Sequence, residues 1–213
     1  MSLKQKVIAI DGPSASGKGT VASRVAEALG FLYLDSGALY RLTALYAQKQ
    51  NVAWIDEDAV STLAETLPVQ FEGSAVLLNG EDVSEQIRTE AIGMGASAVA
   101  QLPKVRTALL QRQRDFLTEK GLVADGRDIG SVIFPDATLK IFLTASANVR
   151  AQRRAKQLGI PCEGVAFERI LSDIEARDEA DRRRPVAPLK QLPDALLLDT
   201  DNLSIEEAVK KVL

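Results

Sequence analysis

Apolar residues along the chain alternate between short continuous runs and longer segments in which they recur every three or four positions. The short runs are typical of strands buried on both faces of a parallel sheet, and the longer segments are typical of helices packed on that sheet. The pattern therefore predicts an α/β domain with helices on both faces of its sheet. The five predicted strands are Lys6 to Ile10, Phe31 to Leu34, Leu122 to Ala124, Leu139 to Leu143 and Ala195 to Leu198.

The predicted helices begin and end at recognisable residues. The segment from Lys18 to Leu29 carries apolar residues at helical spacing and is followed by Gly30, a typical helix stop. Ser204 has Glu207 three residues later, which is the pattern of a capping box. The other helical segments are Ala38 to Gln50, Ala91 to Ala100, a helix opening at Pro103, Asn148 to Leu158, Ala166 to Arg183 and Ser204 to Leu213.

One region interrupts the alternation of strands and helices. The stretch from Leu67 to Val83 predicts antiparallel hairpins, with turns at Glu72-Gly73-Ser74 and at Asn79-Gly80. A single crossover helix needs far fewer residues than those separating the second predicted core strand from the third. Residues 38 to 118 are therefore predicted to form an inserted lobe.

Composition narrows the chemistry that the chain can perform. It contains no histidine, so catalysis must rely on aspartate, glutamate, lysine, arginine and backbone groups, and a metal site would be built from oxygen ligands, with Mg²⁺ the first candidate. A net charge of -3 argues against a general nucleic-acid binder. More than half of the arginines nevertheless lie between Arg150 and Arg184, which leaves room for a positive cleft that binds an anionic small molecule.

Cysteine content and hydropathy indicate the compartment. Cys162 is the single cysteine and cannot form an internal disulfide. The N-terminus lacks a signal-peptide pattern, and no apolar run approaches the roughly 18 residues that span a bilayer. We therefore expect a cytoplasmic protein that does not associate with membranes.

The sequence GPSASGKGT, residues 12 to 20, follows the first predicted strand directly and precedes the first predicted helix. In this context Gly12 and Gly17 allow the backbone to turn its amides inward, and Lys18 reaches toward bound phosphates. Gly19 stands where the strict pattern has serine or threonine, and Thr20 offers a hydroxyl one residue later, either to a magnesium ion or to the helix as a cap. A glycine-rich turn that binds nothing is the alternative.

Three predicted strands end in an aspartate followed by a small residue: Asp11, Asp35 and Asp125. Ligands of open α/β sheets bind beyond the carboxyl ends of the strands, so these three ends are expected to share one crevice. Asp125 is placed like the carboxylate that orients the metal in phosphate-transferring enzymes, although a strand-end aspartate can also cap the next turn.

Four motifs, in their order and spacing, resemble the bacterial cytidylate kinase family of nucleoside monophosphate kinases. They are GPSASGKGT, LDSGALYR, VADGRDIGSVIFP and EARDEADRRRPVAPL, and the similarity covers essentially the whole chain. The first motif alone indicates a P-loop kinase, whereas the other three are far more specific.

The resemblance implies a fold, a division of the chain and a reaction. The fold is a five-stranded parallel P-loop core with helices on both faces, an inserted lobe that binds the nucleoside monophosphate and contains a small antiparallel β element, and a short lid. The core would comprise residues 1–37, 119–148 and 182–213, the insert about 38–118 and the lid about 149–181. The reaction is phosphoryl transfer from ATP to CMP or dCMP with Mg²⁺, performed by a monomer.

The resemblance also implies a role for individual residues. The ATP phosphates would be held by Gly12, Pro13, Ser14, Ala15, Ser16, Gly17, Lys18, Gly19 and Thr20, and the lid arginines that reach toward ATP would be Arg150, Arg153 and Arg154. The CMP phosphate would be bound by Arg41 and Arg127, the cytosine by Ser36, Arg106, Asp128 and Arg184, and the pentose by Ser97, Arg177 and Asp181. The residues expected to act in catalysis are Lys18, Arg127, Asp128, Arg177 and Arg184, and the metal would be held, directly or through water, by Thr20 and Asp125.

The chemistry of the substrate suits these roles. Cytosine presents two acceptors, which suit the guanidinium of Arg106, beside a donor amine that suits the carboxylate of Asp128. The attacking oxygen belongs to a phosphate whose second pKa is about 6, so it is largely ionised at neutral pH and needs no histidine as a base. The absence of histidine is therefore consistent with the implied reaction.

Alternatives remain open at the level of the sequence. Arg182 and Arg183 are expected to form a solvated helix end, and Trp54 is expected to pack in the core or the lobe rather than stack on a base. A P-loop kinase for UMP, AMP or shikimate would share the first motif. A nucleotide-dependent switch without transfer activity is a further alternative from a different functional class.

Overall fold

The computed structural model describes residues 5–72 and 75–213, which form two compact units. The core unit comprises the chain up to Leu34 together with Phe116–Leu213. The inserted unit comprises Asp35–Asp115. Within these described residues, none of the helices combines the length and the apolar character needed to cross a membrane.

The strands form one sheet of five and one of three within the described part of the chain. In chain order they are β1 Gln5–Asp11, β2 Leu32–Asp35, β3 Val69–Glu72, β4 Ala75–Leu78, β5 Glu81–Asp82, β6 Leu122–Gly126, β7 Ala137–Thr144 and β8 Leu196–Asp199. The larger sheet has the order β2-β6-β1-β7-β8, with β1 paired in parallel to both β6 and β7. The predicted α/β fold with a five-stranded parallel sheet is confirmed.

Burial on both faces, which the apolar runs predict for all five strands, holds for the centre of the sheet and fails at one edge. All residues of β6 are buried, as are Val7 to Asp11 of β1. In β8, however, Leu196 is 63% exposed and Leu197 is 57% exposed. β8 is the last strand of the sheet and has only β7 as a neighbour.

Apart from the helix Glu57–Glu65, which was not predicted, the helices agree closely with the predicted segments. In chain order they are α1 Lys18–Leu29, α2 Ser36–Lys49, α3 Glu57–Glu65, α4 Glu90–Val99, α5 Pro103–Arg114, α6 Ala147–Leu158, α7 Val165–Arg183 and α8 Ile205–Val212. Gly30 ends α1 in the left-handed conformation, with φ of 67°. The predicted capping box at the start of α8 is present, because Ser204 and Glu207 each bond to the other's backbone amide.

The inserted unit carries the predicted antiparallel β element, in the order β3-β4-β5. Asn79 and Gly80, with φ of 52° and 78°, form a two-residue turn between the paired residues Leu78 and Glu81. Positive φ at both positions is what a type I′ hairpin turn requires, so this predicted turn is confirmed. The other predicted turn includes Gly73 and Ser74, which lie outside the described residues.

Trp54 anchors the packing of the inserted unit. Its ring packs against a buried cluster of aliphatic side chains, and its Nε1 donates a hydrogen bond to the carbonyl of Ala44 at 2.9 Å. This position agrees with the predicted packing role. A Cβ atom on Gly95 of α4 would lie 2.5 Å from the Trp54 ring, so helix and indole approach each other as closely as glycine allows.

We expect Gly95→Ala to destabilise the protein by about 1–3 kcal/mol, because the added methyl group must displace the indole ring. The loss opposes the gain in helix propensity that alanine otherwise brings. Urea unfolding followed by the fluorescence of Trp54, the chain's single tryptophan, measures both the stability and the shift in emission. Met94→Ala, at an exposed position of the same helix, is the control, and equal stability of the two variants would contradict this account.

Candidate active site

The loop between β1 and α1 is shaped by close approach and by left-handed residues. A Cβ atom on Gly12 would lie 2.0 Å from the carbonyl oxygen of Leu143 in β7, so only glycine fits at this position. Gly17 has φ of 88°, and Ala15 has φ of 56° although it carries a side chain. Left-handed residues alternating with others turn successive amides toward one side of a loop, and such a concavity binds anions.

Polar groups at this loop are arranged for an anionic ligand. Lys18 is buried, and its Nζ donates to the carbonyl of Pro13 at 3.1 Å across the loop. Gly17, the residue that precedes α1, offers no side chain to cap the helix amides, which leaves them available to a phosphate. Among the described residues, the hydroxyls of Ser14 and Ser16 are buried without a hydrogen-bond partner.

Tyr33 explains why Gly19 replaces the usual hydroxyl residue. Its hydroxyl donates to Asp125 Oδ1 at 2.7 Å, and a Cβ atom on Gly19 would lie 3.3 Å from that hydroxyl and 3.8 Å from the carboxylate. A side chain at position 19 would therefore press against the Tyr33 hydroxyl, whereas its distance from the carboxylate would be an ordinary van der Waals contact. Thr20 is exposed in the first turn of α1. No local pattern in the sequence marks Tyr33, since its partner lies 92 residues away.

Asp11, at the end of β1, fixes the turn that follows β6. Its two carboxylate oxygens accept the amides of Ile129 and Gly130, each at 2.8 Å, at the start of the π-helical turn Ile129–Ile133. Burial raises the pKa of Asp11 from 3.8 to about 6; the two amide bonds oppose this rise, and the charge of Asp128 adds to it. In the sequence Asp11 is recognisable only as a strand end, and its bonds to the turn after β6 were not predicted.

Two ion pairs join the end of β6 to the end of α7. Arg127 Nε donates to Asp181 Oδ2 at 2.6 Å, and Arg184 NH2 lies 3.6 Å from Asp128 Oδ1, with both members of the second pair buried. Burial lowers the pKa of Arg177, and the nearby charge of Asp181 partly offsets this effect. The structure therefore brings together five residues of the core unit to which the resemblance assigns substrate contacts.

Two arginines of α6 contact the loop from the side of its carbonyls. Arg150 NH1 donates to the carbonyl of Ser14 at 3.1 Å, and Arg153 NH1 donates to the carbonyl of Ser16 at 3.2 Å. Arg150 is buried and also forms a two-pronged ion pair with Asp178. The role of these arginines toward ATP stays a prediction.

Helices α2 and α5 of the inserted unit hold a second group of predicted residues. The Ser36 hydroxyl donates to Gln113 Oε1 at 2.6 Å, and both side chains are buried. Arg106, seven residues before Gln113 on α5, lies over the Tyr40 ring at 5.5 Å and donates to the carbonyl of Ala100 at 3.0 Å. Tyr40 lies within the motif LDSGALYR but was given no role, and Gln113 lies outside the four motifs.

The remaining two predicted residues of the inserted unit bind the backbone. Arg41 NH1 donates to the carbonyl of Ile87 at 3.0 Å. Ser97 donates to the carbonyl of Gly93, one turn earlier in α4, at 3.2 Å. Neither bond assigns a ligand, so the substrate contacts of both residues stay predictions.

Comparison with known proteins gives one consistent family. The family model described as cytidylate kinase matches residues 8–213. The cytidylate kinase of Neisseria meningitidis serogroup C is 80% identical over 210 residues, covering 99% of this chain and 96% of the relative, and that of Chromobacterium violaceum is 62% identical, covering 97% and 93%. A solved structure of an uncharacterized protein from Eubacterium ventriosum has a TM-score of 0.52 at 11% identity, covering 97% of this chain and 94% of that chain, and shares the fold alone.

Asp11 gives the core unit a pH-dependent stability. The folded state binds the proton of this carboxyl more tightly than the unfolded chain does, so its contribution to stability falls as the pH rises from about 4 through 6. The rise in pKa from 3.8 to about 6 corresponds to about 3 kcal/mol. We expect the free energy of unfolding of the native protein to fall by about that amount relative to Asp11→Asn across this range.

Urea unfolding at a series of pH values between 4 and 7.5 measures this difference. Asp173→Asn, at an exposed position of α7, makes the same chemical change in solvent and is the matched control. A difference between the native protein and Asp11→Asn that stays constant with pH would contradict the assignment.

Proposed function

The chain belongs to the cytidylate kinase family, and from this premise we propose how its residues transfer a phosphoryl group from ATP to CMP or dCMP. The products are ADP and CDP or dCDP. The observation that carries the proposal is the loop at residues 12–20, where a buried lysine, an uncapped helix start and two unpartnered buried hydroxyls meet. Such a site suits the phosphates of a nucleoside triphosphate.

At the donor end, residues 12 to 20 bind the ATP phosphates. Lys18 exchanges its bond to the Pro13 carbonyl for the terminal phosphates, where its charge offsets the negative charge that moves during transfer. Arg154, half-buried on α6, is proposed to approach ATP from the lid. The attacking phosphate is largely ionised at neutral pH, so the reaction needs positioned cations rather than a general base.

At the acceptor end, Arg127 and Arg41 bind the CMP phosphate, and Arg177, Asp181 and Ser97 bind near the pentose. The close ion pair of Arg127 with Asp181 supports this proposal, because it holds the guanidinium in a defined position before the phosphate arrives.

Recognition of the base is assigned to Ser36, Arg106, Asp128 and Arg184. Asp128 and Arg184 are both buried in the core unit, and Arg106 is held by the Tyr40 ring in the inserted unit. Cytosine requires a donor for its two acceptors and an acceptor for its amine. Uracil reverses two of these three groups and would leave buried polar groups unpaired.

Magnesium is the metal that the site suits. Thr20 offers a hydroxyl beside Gly19, and a Cβ atom on Gly19 would lie within 4.0 Å of both Asp125 oxygens, so hard oxygen ligands lie near the start of α1. Mg²⁺ is commonly held by one or two carboxylates with substrate phosphates and water, and the described residues contain no group of three or more metal-ligating side chains. Bound there, Mg²⁺ would neutralise charge on the phosphates.

The protein is further proposed to act as a monomer in the cytoplasm. The single cysteine supports the compartment, and the resemblance to the family supports the monomer. Light scattering of the purified protein and fractionation of the native cells test these two points.

The acceptor specificity is tested by an ADP-release assay across CMP, dCMP, UMP, AMP and shikimate. We expect CMP and dCMP to give kcat/KM values at least about 10-fold above UMP, because each mismatched buried polar group costs roughly 1–3 kcal/mol. Lys18→Ala is the control for a phosphate-loop reaction and should lose most turnover. Faster phosphorylation of another acceptor would contradict the proposal, and tight nucleotide binding without transfer would favour a switch.

Asp128→Ala tests the recognition of the base. We expect the preference for CMP over UMP to fall by about 10- to 100-fold while the KM for ATP changes by less than about threefold, since the carboxylate is assigned to the cytosine amine. Steady-state kinetics with each nucleotide varied in turn measures both effects. Asp136→Ala, at an exposed position before β7, is the control, and an unchanged CMP preference in Asp128→Ala would refute the assignment.

A further inference from the structure

The guanidinium of Arg150 forms its hydrogen bonds with other groups of the protein. Its side chain is buried, and each of its three nitrogens donates a hydrogen bond to protein: Nε to the carbonyl of Ala145 at 2.9 Å, NH1 to Asp178 Oδ1 at 2.9 Å and to the carbonyl of Ser14 at 3.1 Å, and NH2 to Asp178 Oδ2. Asp178 is equally buried, at 3% exposure. This arrangement differs from that of a lid arginine reaching into a ligand site.

Arg153 makes an equivalent contact one turn further along α6. Its NH1 donates to the carbonyl of Ser16 at 3.2 Å and to Thr200 Oγ1 at 3.1 Å. Residues three apart lie on the same face of a helix, so α6 presents two cations to the same side of the phosphate loop.

The carbonyls of Ser14 and Ser16, which accept these hydrogen bonds, each precede a left-handed residue of the loop. The Ser14 carbonyl shares a peptide plane with the amide of Ala15, and the Ser16 carbonyl shares one with the amide of Gly17. In a trans peptide the carbonyl and the amide point in opposite directions. Guanidinium groups on the carbonyl side therefore direct these two amides to the opposite side of the loop.

Ala15 makes this restraint necessary. A residue with a side chain adopts φ of 56° only where the surroundings hold it there. Arg150 of α6 contacts the Ser14–Ala15 peptide through its hydrogen bond to the Ser14 carbonyl. Arg150 in turn is oriented by Asp178, whose two oxygens bind the guanidinium in a fixed plane.

We propose that Arg150 and Asp178 are positioning residues, which hold the Ser14–Ala15 peptide so that its amide faces the bound phosphates, and that Arg150 does not itself contact ATP. This inference rests on the proposed function of residues 12–20 as the ATP phosphate site. It gives Asp178, through its ion pair with Arg150, an indirect influence on ATP binding.

Asp178→Asn tests the proposal, because it keeps the size of the side chain and removes the charge that orients Arg150. We expect the dissociation constant for ATP, measured by calorimetry on the full chain, to rise about tenfold, with that for CMP changing less than about threefold. Arg150→Lys should give a similar rise, and the double variant should be little weaker than either single one. Asp173→Asn, exposed on the same helix, is the matched control.

Amide hydrogen exchange in the nucleotide-free protein gives a second measurement that does not depend on activity. We expect faster exchange in residues 12–18 in both single variants and an unchanged rate in the control. This measurement on Arg150→Lys decides the question if Asp178→Asn does not fold.

Two results would overturn the proposal. If Arg150 contacted ATP directly, Asp178→Asn would free it, and ATP binding would be unchanged or tighter, with normal exchange in the loop. If the pair only stabilised the fold, the urea midpoint would fall while the affinities for ATP and CMP remained native. Failure of the proposed function itself is distinguishable, since the native protein and Asp173→Asn would then also fail to phosphorylate CMP.

Discussion

The core unit depends on the carboxylate of Asp11 at the end of β1. This side chain accepts two amides at the start of the turn after β6, and the next residue, Gly12, lies against the Leu143 carbonyl of β7. The central strand is therefore tied at one point to the ends of both neighbouring strands. Because the carboxylate is buried, moving it would leave two amides and a charge without partners, a loss of several kcal/mol. The phosphate loop and the turn after Asp128 consequently keep fixed positions relative to each other.

Helix α7 provides a second set of restraints through residues spaced three apart. Asp178 pairs with Arg150, Asp181 pairs with Arg127, and Arg184, just beyond the helix, pairs with Asp128. Buried ion pairs contribute little net stability, since the desolvation of both groups offsets their attraction. We therefore interpret the three pairs as devices of orientation, which fix guanidinium groups near the phosphate loop and near the strand end that follows it.

The sequence predicted those parts of the fold whose cause is local. The start and end of α1, the capping box of α8 and the turn at Asn79-Gly80 each depend on residues within a few positions, and each is confirmed. The burial predicted for β8 was wrong. This strand lies at the edge of the sheet, and an apolar run does not reveal whether a strand is central or at an edge. Helix α3 was not predicted, although Asp56 caps it through the amide of Ala59.

The candidate site divides in the same way. The loop at residues 12–20 and the motif aspartates were predicted from residue types and spacing, and their ligand contacts stay predictions. The partners that orient them were missed: Tyr33 is 92 residues from Asp125, Gln113 is 77 residues from Ser36, and Asp11 is 118 residues from Ile129. Such pairs are created by the packing of the sheet and helices, and a single sequence contains no local pattern that marks them.

Asp181 also balances the positive charge of Arg127 while the site is empty. A buried guanidinium without a counterion costs about 3–5 kcal/mol, so an empty site made only of cations would destabilise the fold. Asp181 neutralises Arg127 at 2.6 Å in this structure. If Arg127 binds the CMP phosphate as proposed, a group with a charge of about -1.5 to -2 would replace the carboxylate as its partner. Asp181 would then be available to the pentose, the role proposed for it, so that one residue would balance charge in the empty enzyme and contact substrate in the loaded one.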